Sequence, residues 1–527
     1  MKRRFLIFIY MIFLLSCSTE KYLTDIKEID SKLFIDSKGA IYFSFKDLDR
    51  YQISTWQNQL ISVVIQSDRD QFYPFCYKDE ICALYDNKGD ENWRTTNATL
   101  NAQLQYRFLA RIESDKTGRL IIFQPKNSNE ILLLDAESGT VQKVADIEIR
   151  YHNAVFDGGN QRVFISLDDK IIEYDVETWK ATSILAGLFG EKRNIFLSGN
   201  DLYFNSNDTS EYHQIYKYCL NGENTGTVMV HEGTSDVMMP KIINGDFYFI
   251  QCVQSHYQLR RKSANRDNLI TKTGVVYQYC AYKDGQILIS YSDLDLPKSL
   301  MLYHISENKL ENLTGESLQL DVRLEYRELS DALSPAYKII PGGNKKGTLL
   351  FFHPGLNSDF SPRWDTILMN LAQSGYEIVC PNYPMSFGYG KTYNNAQFQD
   401  AIQDMTAWKN QLLKENDNLP LFLLASSSGN LLMEAVLYFD KRGVDGAVSL
   451  FGLYNSRVPP AHVPQLVVLG ESDPKVDMAK RTTLISKSAN KNIRVICFED
   501  EGHWVRNNQN NSQIIDVLLS KFSGQTP

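Results

Sequence analysis

Three side chains near the C-terminal end of the chain, Ser427, Asp473 and His503, have the types and the chain order needed for hydrolysis by a serine nucleophile. A serine hydroxyl is a weak nucleophile at neutral pH and needs a base within hydrogen-bond reach. A histidine can accept that proton and return it to the leaving group, while a carboxylate fixes the imidazole tautomer and stabilises the imidazolium. The three residues can act together only if the elements around them bring their side chains into contact.

The stretch around Ser427 predicts a sharp turn between a strand and a helix. Residues 421–424 are apolar and indicate a buried strand, and residues 431–437 carry apolar side chains at helical spacing. Between them lies Ala425-Ser-Ser-Ser-Gly429, a small-x-Ser-x-small turn. This is the pattern of the nucleophile elbow of α/β hydrolases, where the flanking positions must be small because the turn is strained and tightly packed.

Three consecutive serines leave the register of this turn open. With Ser427 as the nucleophile, Ala425 and Gly429 fill the small positions. With Ser428 in that place, Asn430 would have to fill a small position, which it does poorly. We therefore assign Ser427, with a serine-rich loop that has no catalytic role as the alternative, because short motifs also match by chance.

Each of the other two candidates follows a predicted strand. Asp473 lies in the loop after the apolar run 464–470, and His503 lies in the loop after the run 493–498. His462, the only other histidine after the turn, lies in a proline-flanked connection and is interpreted as structural. Loops at strand ends often carry catalytic groups, and α/β hydrolases place the serine, the acid and the histidine in this order.

The negative charge that develops on the substrate oxygen needs hydrogen-bond donors. One predicted donor is the backbone N–H of Ser428, the residue after the nucleophile. A second should come from the loop after an early strand, and the apolar run 347–352 is followed there by His353-Pro-Gly-Leu. Because Pro354 has no N–H, Gly355 is the predicted second donor.

The N-terminus resembles the signal of a bacterial lipoprotein. A basic start is followed by the apolar run 5–15, which is too short for a stable membrane span, and then by Leu14-Leu-Ser-Cys17. We expect a signal peptide over residues 1–16, cleavage before Cys17, a lipid on that cysteine and a tether over residues 17–34. The expected location is the bacterial cell envelope, and Ser18 after the cysteine favours the outer membrane. An ordinary signal peptide is the alternative.

Composition narrows the classes of partner. The net charge is −8 and no basic cluster follows the signal, which argues against nucleic acid as a partner. No Cys/His spacing is typical of a zinc site, so neither a metal nor another cofactor is predicted. Cys76 and Cys82 are close enough in sequence to form a disulfide, but the spacing alone leaves their pairing open.

Between residues 35 and 322 the pattern changes to short β-rich runs separated by turn residues. One unit recurs, in which three strands are joined by polar turns and the second strand ends in an aromatic residue and often Asp. About seven copies at spacings of about 40 residues match the period of β-propeller blades. They begin near Ile41, Phe75, Leu120, Val163, Asp201, Asp246 and Gln286. The sequence therefore predicts a seven-bladed β-propeller, with a β-sandwich or β-helix as alternatives, followed by a C-terminal α/β-hydrolase domain over residues 323–527.

A propeller followed by a Ser-Asp-His hydrolase resembles the prolyl oligopeptidase family of serine peptidases, and its acylaminoacyl-peptidase and dipeptidyl-peptidase branches above all. Four segments carry the resemblance: His353-Pro-Gly-Leu, Asn382-Tyr-Pro-Met-Ser-Phe-Gly-Tyr-Gly390, Gly470 to Val476, and Glu501-Gly-His503. The resemblance implies that Tyr383 and Tyr389 contribute to substrate binding. The chain departs from the family pattern at Pro354, Pro384 and Asn430, which suggests altered substrate choice or a reduced rate.

Three functions fit these features. The first is a serine peptidase that cleaves short peptides, because a propeller over the hydrolase face would exclude folded proteins. The second is an esterase that uses the same three residues, because their geometry does not distinguish an ester from an amide. The third is a surface lipoprotein in which the propeller binds a partner and the hydrolase has lost activity, as the altered glycine pattern would allow.

Overall fold

The computed structural model describes residues 28–523 of the 527-residue chain with internal gaps. The gaps are residues 36–37, 39, 48–49, 58–59, 66–70, 86–93, 105–108, 127, 147–150, 160, 186–191, 221–226, 232, 264–265, 284, 329–332, 416–417, 455–462, 489 and 500. The predicted lipidation site, Cys17, and the rest of the predicted signal peptide lie outside the described residues.

The first part of the described chain folds into consecutive antiparallel sheets. Sheet 1 contains β1 (Glu28–Ile35), β2 (Ile41–Asp47), β3 (Arg50–Gln57) and β4 (Leu60–Ile65), and sheet 2 contains β5 (Gln71–Tyr77), β6 (Glu80–Tyr85) and β7 (Arg94–Thr95). After helix α1 (Ala98–Gln103), sheet 3 contains β8 (Leu109–Ser114), β9 (Leu120–Pro125), β10 (Glu130–Asp135) and β11 (Thr140–Asp146). Sheet 4 contains β12 (Tyr151–Phe156), β13 (Arg162–Leu167), β14 (Ile171–Asp175) and β15 (Lys180–Ile184).

The same arrangement continues to residue 312. Sheet 5 contains β16 (Lys192–Ser198), β17 (Asp201–Ser206), β18 (Gln214–Cys219) and β19 (Thr227–His231). Sheet 6 contains β20 (Val237–Ile243), β21 (Asp246–Val253), β22 (His256–Ser263) and β23 (Arg266–Leu269), and sheet 7 contains β24 (Val275–Ala281), β25 (Gln286–Asp293), β26 (Leu296–His304) and β27 (Lys309–Asn312). A parallel pairing of Tyr257 with Val275 joins sheets 6 and 7. In six of the seven sheets the predicted unit begins at the second strand, and in sheet 2 it begins within the first strand, β5.

The first and last of these sheets are in contact. The backbone of Leu33 in sheet 1 exchanges two hydrogen bonds with the side-chain amide of Gln278 in sheet 7. Apolar side chains of both sheets share one buried cluster, which includes Phe43 and Leu288. A sheet that buries only one face alone is marginal, so each sheet gains its second covered face from a neighbour.

The C-terminal part contains one mostly parallel sheet in the order β28-β29-β31-β30-β32-β33-β34-β35. Its strands are β28 (Val322–Arg327), β29 (Ala336–Pro341), β30 (Gly347–Phe352), β31 (Tyr376–Pro381), β32 (Leu421–Ser426), β33 (Gly446–Leu450), β34 (Gln465–Gly470) and β35 (Ile493–Phe498). The helices are α2 (Thr366–Gln373), α3 (Lys391–Asn394), α4 (Phe398–Glu415), α5 (Gly429–Phe439), α6 (Met478–Lys487) and α7 (Asn508–Phe522).

Helices cover both faces of this sheet, as the continuous apolar strands require. Phe422 and Leu424 of β32 pack with apolar side chains of α2 and α7. Leu421 and Leu423 of the same strand pack with α4 and α5 on the opposite face. A parallel strand buried on both faces is apolar at successive positions, which is the pattern of residues 421–424. The carboxyl ends of the parallel strands β30, β32, β34 and β35 therefore meet at one edge.

The structure adds detail at two predicted boundaries. Glu28–Ile35 forms the first strand of sheet 1, so this sheet begins inside the stretch 17–34 that the sequence assigns to a tether. The strand β28 begins at Val322, so the domain boundary predicted after that residue falls at the start of the hydrolase sheet. Cys76 and Cys82 lie on paired strands, and neither forms a disulfide. Within the described residues, no helix combines the length and the apolar character that a bilayer crossing requires.

Candidate active site

The structure brings the three candidate residues together at the carboxyl edge of the parallel sheet. The Oγ atom of Ser427 lies 2.7 Å from Nε2 of His503, and Nδ1 of His503 lies 2.8 Å from Oδ2 of Asp473. The other carboxylate oxygen of Asp473 accepts the backbone N–H of Lys475 at 2.8 Å. The distances are those of a nucleophile, a base and an orienting carboxylate joined by hydrogen bonds.

The backbone around Ser427 has the conformation of a nucleophile elbow. Ser427 has a φ of 49°, whereas Ser428 has an ordinary helical φ of −66°. A Cβ atom at Gly429 would lie 2.2 Å from the carbonyl oxygen of Phe352, so only glycine fits where the start of α5 passes the end of β30. The left-handed residue is therefore Ser427, which is the register assigned from the sequence.

The loops that carry the acid and the histidine are packed against each other. A Cβ atom at Gly470 would lie 2.1 Å from the carbonyl oxygen of Gly502, so this position also requires glycine. The backbone N–H of Ser472 donates to the carbonyl oxygen of Glu501 at 3.1 Å. These contacts fix the spacing between the Asp473 loop and the His503 loop.

Glu501 joins the loop that carries His503 to the residues around the start of α7. Its buried carboxylate accepts hydrogen bonds from the backbone N–H groups of Arg506 at 2.9 Å and Asn507 at 3.1 Å. It also accepts a hydrogen bond from the side-chain amide of Asn510 at 2.8 Å. The sequence showed Glu501 only as part of the Glu-Gly-His motif. The structure indicates that it anchors the loop to the start of α7.

The two residues with the predicted oxyanion donors, Ser428 and Gly355, are in contact. The N–H of Gly355 donates a hydrogen bond to the side-chain oxygen of Ser428 at 2.8 Å, and Gly355 has a φ of 73°. The N–H of Gly355 is thus engaged by the side chain of the residue that would supply the other donor. Substrate binding at both donors would require this hydrogen bond to open.

Tyr383 is buried against the loop that carries the predicted donor Gly355. Its side chain is 0% exposed, stacks on the imidazole of His353 with ring centroids 4.2 Å apart, and donates its hydroxyl to the carbonyl oxygen of His353 at 3.0 Å. The motif identified the position of Tyr383 and not its depth, and a role in substrate binding stays a prediction. Burial lowers the pKa of His353 to about 4, so this imidazole is neutral near pH 7 and cannot supply a proton there.

Tyr389 lies at the interface between the sheets and the hydrolase. Its hydroxyl accepts the side-chain amide of Asn382 at 2.9 Å and lies 3.1 Å from the hydroxyl of Ser255. Ser255 belongs to the turn between β21 and β22, and Tyr337 donates its hydroxyl to the carbonyl oxygen of Gln254 in the same turn. The structure thus gives Tyr389 a role in the contact between the two parts of the chain, and a role in substrate binding stays a prediction.

Other parts of the seven sheets of residues 28–312, here called the propeller-like region, also contact the hydrolase. The hydroxyl of Tyr257 in sheet 6 donates to the carboxylate of Asp359 at 2.9 Å, and burial raises the pKa of that carboxyl. Glu211 of sheet 5 accepts the backbone N–H of Thr392 through its carboxylate. Lys46 of sheet 1 donates to the side chain of Asn508 at 2.9 Å. Three separate sheets therefore contact segments that follow β30, β31 and β35 at the carboxyl edge of the hydrolase sheet.

Asn430 is part of a buried polar network that sequence reasoning missed. Its side-chain amide donates to the carbonyl oxygen of Leu453 at 2.7 Å and to Glu434 at 3.0 Å. Glu434 in turn forms an ion pair with Arg481 of α6 at 3.0 Å, and burial raises the pKa of Glu434. The network joins α5, which follows the nucleophile, to the helix that follows the acid loop.

A cavity of about 260 Å³ opens beside His503. The hydrolase contributes Pro354, Trp364 and Trp504 to its wall, and the propeller-like region contributes Lys46. Trp504 is 40% exposed, so the cavity is open to solvent on one side. A substrate held there would lie next to the imidazole that transfers protons.

No protein-family model matches the sequence. Solved structures match nearly the whole chain. A puromycin-hydrolysing peptidase of Mycobacterium tuberculosis has a TM-score of 0.77 at 13% identity, with 95% of each chain covered. A prolyl endopeptidase structure has a TM-score of 0.78 at 10% identity, covering 95% of this chain and 90% of that one.

Oligopeptidase B from Trypanosoma brucei, solved in a closed form with covalently bound antipain, has a TM-score of 0.75 at 10% identity. The match covers 94% of this chain and 88% of that one. At these identities the likeness concerns the fold, which the chain shares over both of its parts.

Proposed function

We propose that this chain, which has the fold of the prolyl oligopeptidase family, is a serine peptidase that hydrolyses short peptides. The observation that carries the proposal is the unbroken hydrogen-bonded series from Ser427 through His503 to Asp473. Ser427 also keeps the strained φ of 49° that a nucleophile elbow requires. Such strain costs of order 1–3 kcal/mol and persists where function requires it.

In the proposed mechanism, His503 accepts the hydroxyl proton as the Ser427 oxygen attacks the carbonyl carbon of the peptide bond. Asp473 keeps the imidazole oriented and stabilises its charged form. The oxygen of the tetrahedral intermediate takes hydrogen bonds from the N–H groups of Ser428 and Gly355. His503 then gives the proton to the leaving amine, and a water molecule releases the acyl group by the same steps in reverse.

The proposed specificity for short peptides rests on how the two parts of the chain meet. We infer that the seven sheets form a seven-bladed propeller, because sheet 1 contacts sheet 7 and each sheet has the antiparallel order of a blade. Sheets 1, 5 and 6 contact the hydrolase at the edge that carries the site. A folded protein could not pass between these contacts and reach Ser427, whereas a short extended chain could.

The test compares one cleavable sequence in a free oligopeptide and on the surface of a folded domain. The purified protein should cleave an oligopeptide from a mixed library, and it should not cleave a stable folded domain that displays the same sequence on its surface. The matched control is the Ser427→Ala variant, which removes only the hydroxyl. Mass spectrometry of the products identifies the bond. Turnover of activated esters with no cleavage of any peptide would contradict the proposal and favour the esterase alternative.

We also propose that the mature protein is anchored to the bacterial cell envelope, at the outer membrane, by a lipid on Cys17. The support is the basic start, the apolar run 5–15 and the cysteine in register. Growth of the producing cells with an alkyne-bearing fatty acid should label the wild-type protein and leave the Cys17→Ser variant unlabelled. Equal labelling of both, or release of the wild type without lipid, would contradict the anchor.

A further inference from the structure

Lys46 is a buried cation with no acidic partner among the described residues. Its side chain lies in sheet 1 and is 6% exposed. Within the described part of the chain, its ammonium group donates a hydrogen bond to the neutral side chain of Asn508. It also lies 5.9 Å from the centroid of the Tyr51 ring. A buried charge is costly unless it is paired, so this position calls for an anion.

The surroundings of Lys46 add to this requirement. Asn508 is the first residue of α7, and Asn511 lies on the same cavity wall, so the positive end of a 15-residue helix faces the cavity. Among the lining residues that the structure describes, Asp365 is the only carboxylate. Its Oδ1 accepts the N–H groups of Ile367 and Leu368 at the start of α2, which commits it to capping that helix.

His503 also lines the cavity. Its role in the proposed mechanism indicates which part of a substrate would occupy the cavity. In the proposed mechanism His503 delivers its proton to the leaving amine, so the group on that side of the bond lies next to the imidazole. Ligand pockets for molecules of drug size begin at about 300 Å³. A cavity of about 260 Å³ therefore has room for a leaving fragment of only a residue or two.

We propose that Lys46 binds a carboxylate on the leaving side of the peptide, so that the enzyme prefers substrates with a negative charge close after the cleaved bond. The inference rests on the proposed peptidase function. The carboxylate has two possible sources: the free C-terminus of a short leaving fragment, or an Asp or Glu side chain just after the cleaved bond. We expect the free C-terminus, because the small cavity leaves little room for chain beyond it.

The experiment uses pairs of peptides that share one sequence. One pair ends in a free acid or in an amide two residues after the cleaved bond. A second pair is amidated and carries Asp or Asn after the bond. The wild type should cleave the free acid about 10 to 100 times more efficiently than the amide, as expected for a hydrogen bond between charged groups. Mass spectrometry gives kcat/KM for each peptide.

Three variants assign the preference to its source. In Lys46→Met the ratio of acid to amide should fall to about 1, and in Lys46→Arg most of the preference should remain because the charge remains. Lys143→Met, which removes a half-exposed lysine of sheet 3, should keep the wild-type ratio. Far-ultraviolet circular dichroism and melting temperatures establish that each variant is folded. The wild-type comparison holds even if Lys46→Met does not fold.

The outcomes separate this inference from the proposed function. Equal cleavage of acid and amide, and of Asp and Asn peptides, by the wild type would overturn the role of Lys46 and leave the peptidase intact. A preference that persists in Lys46→Met would do the same. A preference for Asp over Asn alone would place the bound carboxylate on a side chain and support Lys46 as its partner. Failure to cleave any of the four peptides would contradict the peptidase itself.

Discussion

Replacing Ser427 by alanine should lower kcat for a cleavable peptide by about 10⁶, with KM changed only a few-fold, because the variant still binds the peptide but lacks the attacking oxygen. The structure places this oxygen 2.7 Å from the imidazole that would activate it. What activity is left should come from binding and from the two backbone donors alone. Single-turnover kinetics on one peptide, with product measured by mass spectrometry, would detect a loss of this size.

The neighbouring serines and the histidine provide the controls for this prediction. Ser428→Ala should cost at most about tenfold, because it keeps the backbone N–H that is the predicted oxyanion donor. His503→Ala should cost about as much as Ser427→Ala, and the double variant should be no worse than either single one, since the two residues act as a unit. A Ser427→Ala enzyme within tenfold of the wild type would contradict the assignment of the nucleophile.

Replacing Arg481 by methionine should destabilise the hydrolase part by about 3–5 kcal/mol at pH 7, because it leaves the carboxylate of Glu434 buried without its partner. Both side chains are almost fully buried, at 1% for Arg481 and 7% for Glu434. Only the amide of Asn430 would remain as a hydrogen-bond donor to Glu434 among the contacts described. Differential scanning calorimetry of the wild type and the variant measures the shift of the hydrolase transition.

The cause of this loss of stability can be tested by its dependence on pH and by a double variant. Burial raises the pKa of Glu434, so lowering the pH protonates the orphaned carboxyl and should reduce the loss in Arg481→Met. Adding Glu434→Gln should restore much of the stability, since no charge is then left buried. If Arg481→Met costs less than about 1 kcal/mol at pH 7, the ion pair does not brace α5 against α6 as we infer.

The proximity of the three candidate residues could be predicted from the sequence because each lies in the loop after a strand that is recognisable as an apolar run. The apolar runs before Ser427, Asp473 and His503 form β32, β34 and β35, and the carboxyl ends of parallel strands meet at one edge. Strand position and chain order therefore sufficed. The recurring β-rich units were also visible, because three strands joined by short turns are a local pattern.

What the sequence did not reveal depends on contacts between distant segments. Lys46 and Asn508 meet although they are 462 positions apart, and nothing near Lys46 indicates that its charge is buried. Tyr383 matches a motif, but the stacking on His353 that buries it is a tertiary contact. Asn430 was visible as a departure from glycine, whereas its partner Arg481 lies on another helix. In each case the physics of the site is set by the packing of the folded chain.

Labelling with a fluorophosphonate probe shows whether Ser427 is an activated nucleophile. The probe reacts with a serine hydroxyl that a neighbouring base has activated. We predict that the native wild type and Ser428→Ala are labelled, that Ser427→Ala is not, and that the modified peptide contains Ser427. No labelling of well-folded wild type, or labelling that survives in Ser427→Ala and disappears in Ser428→Ala, would contradict it.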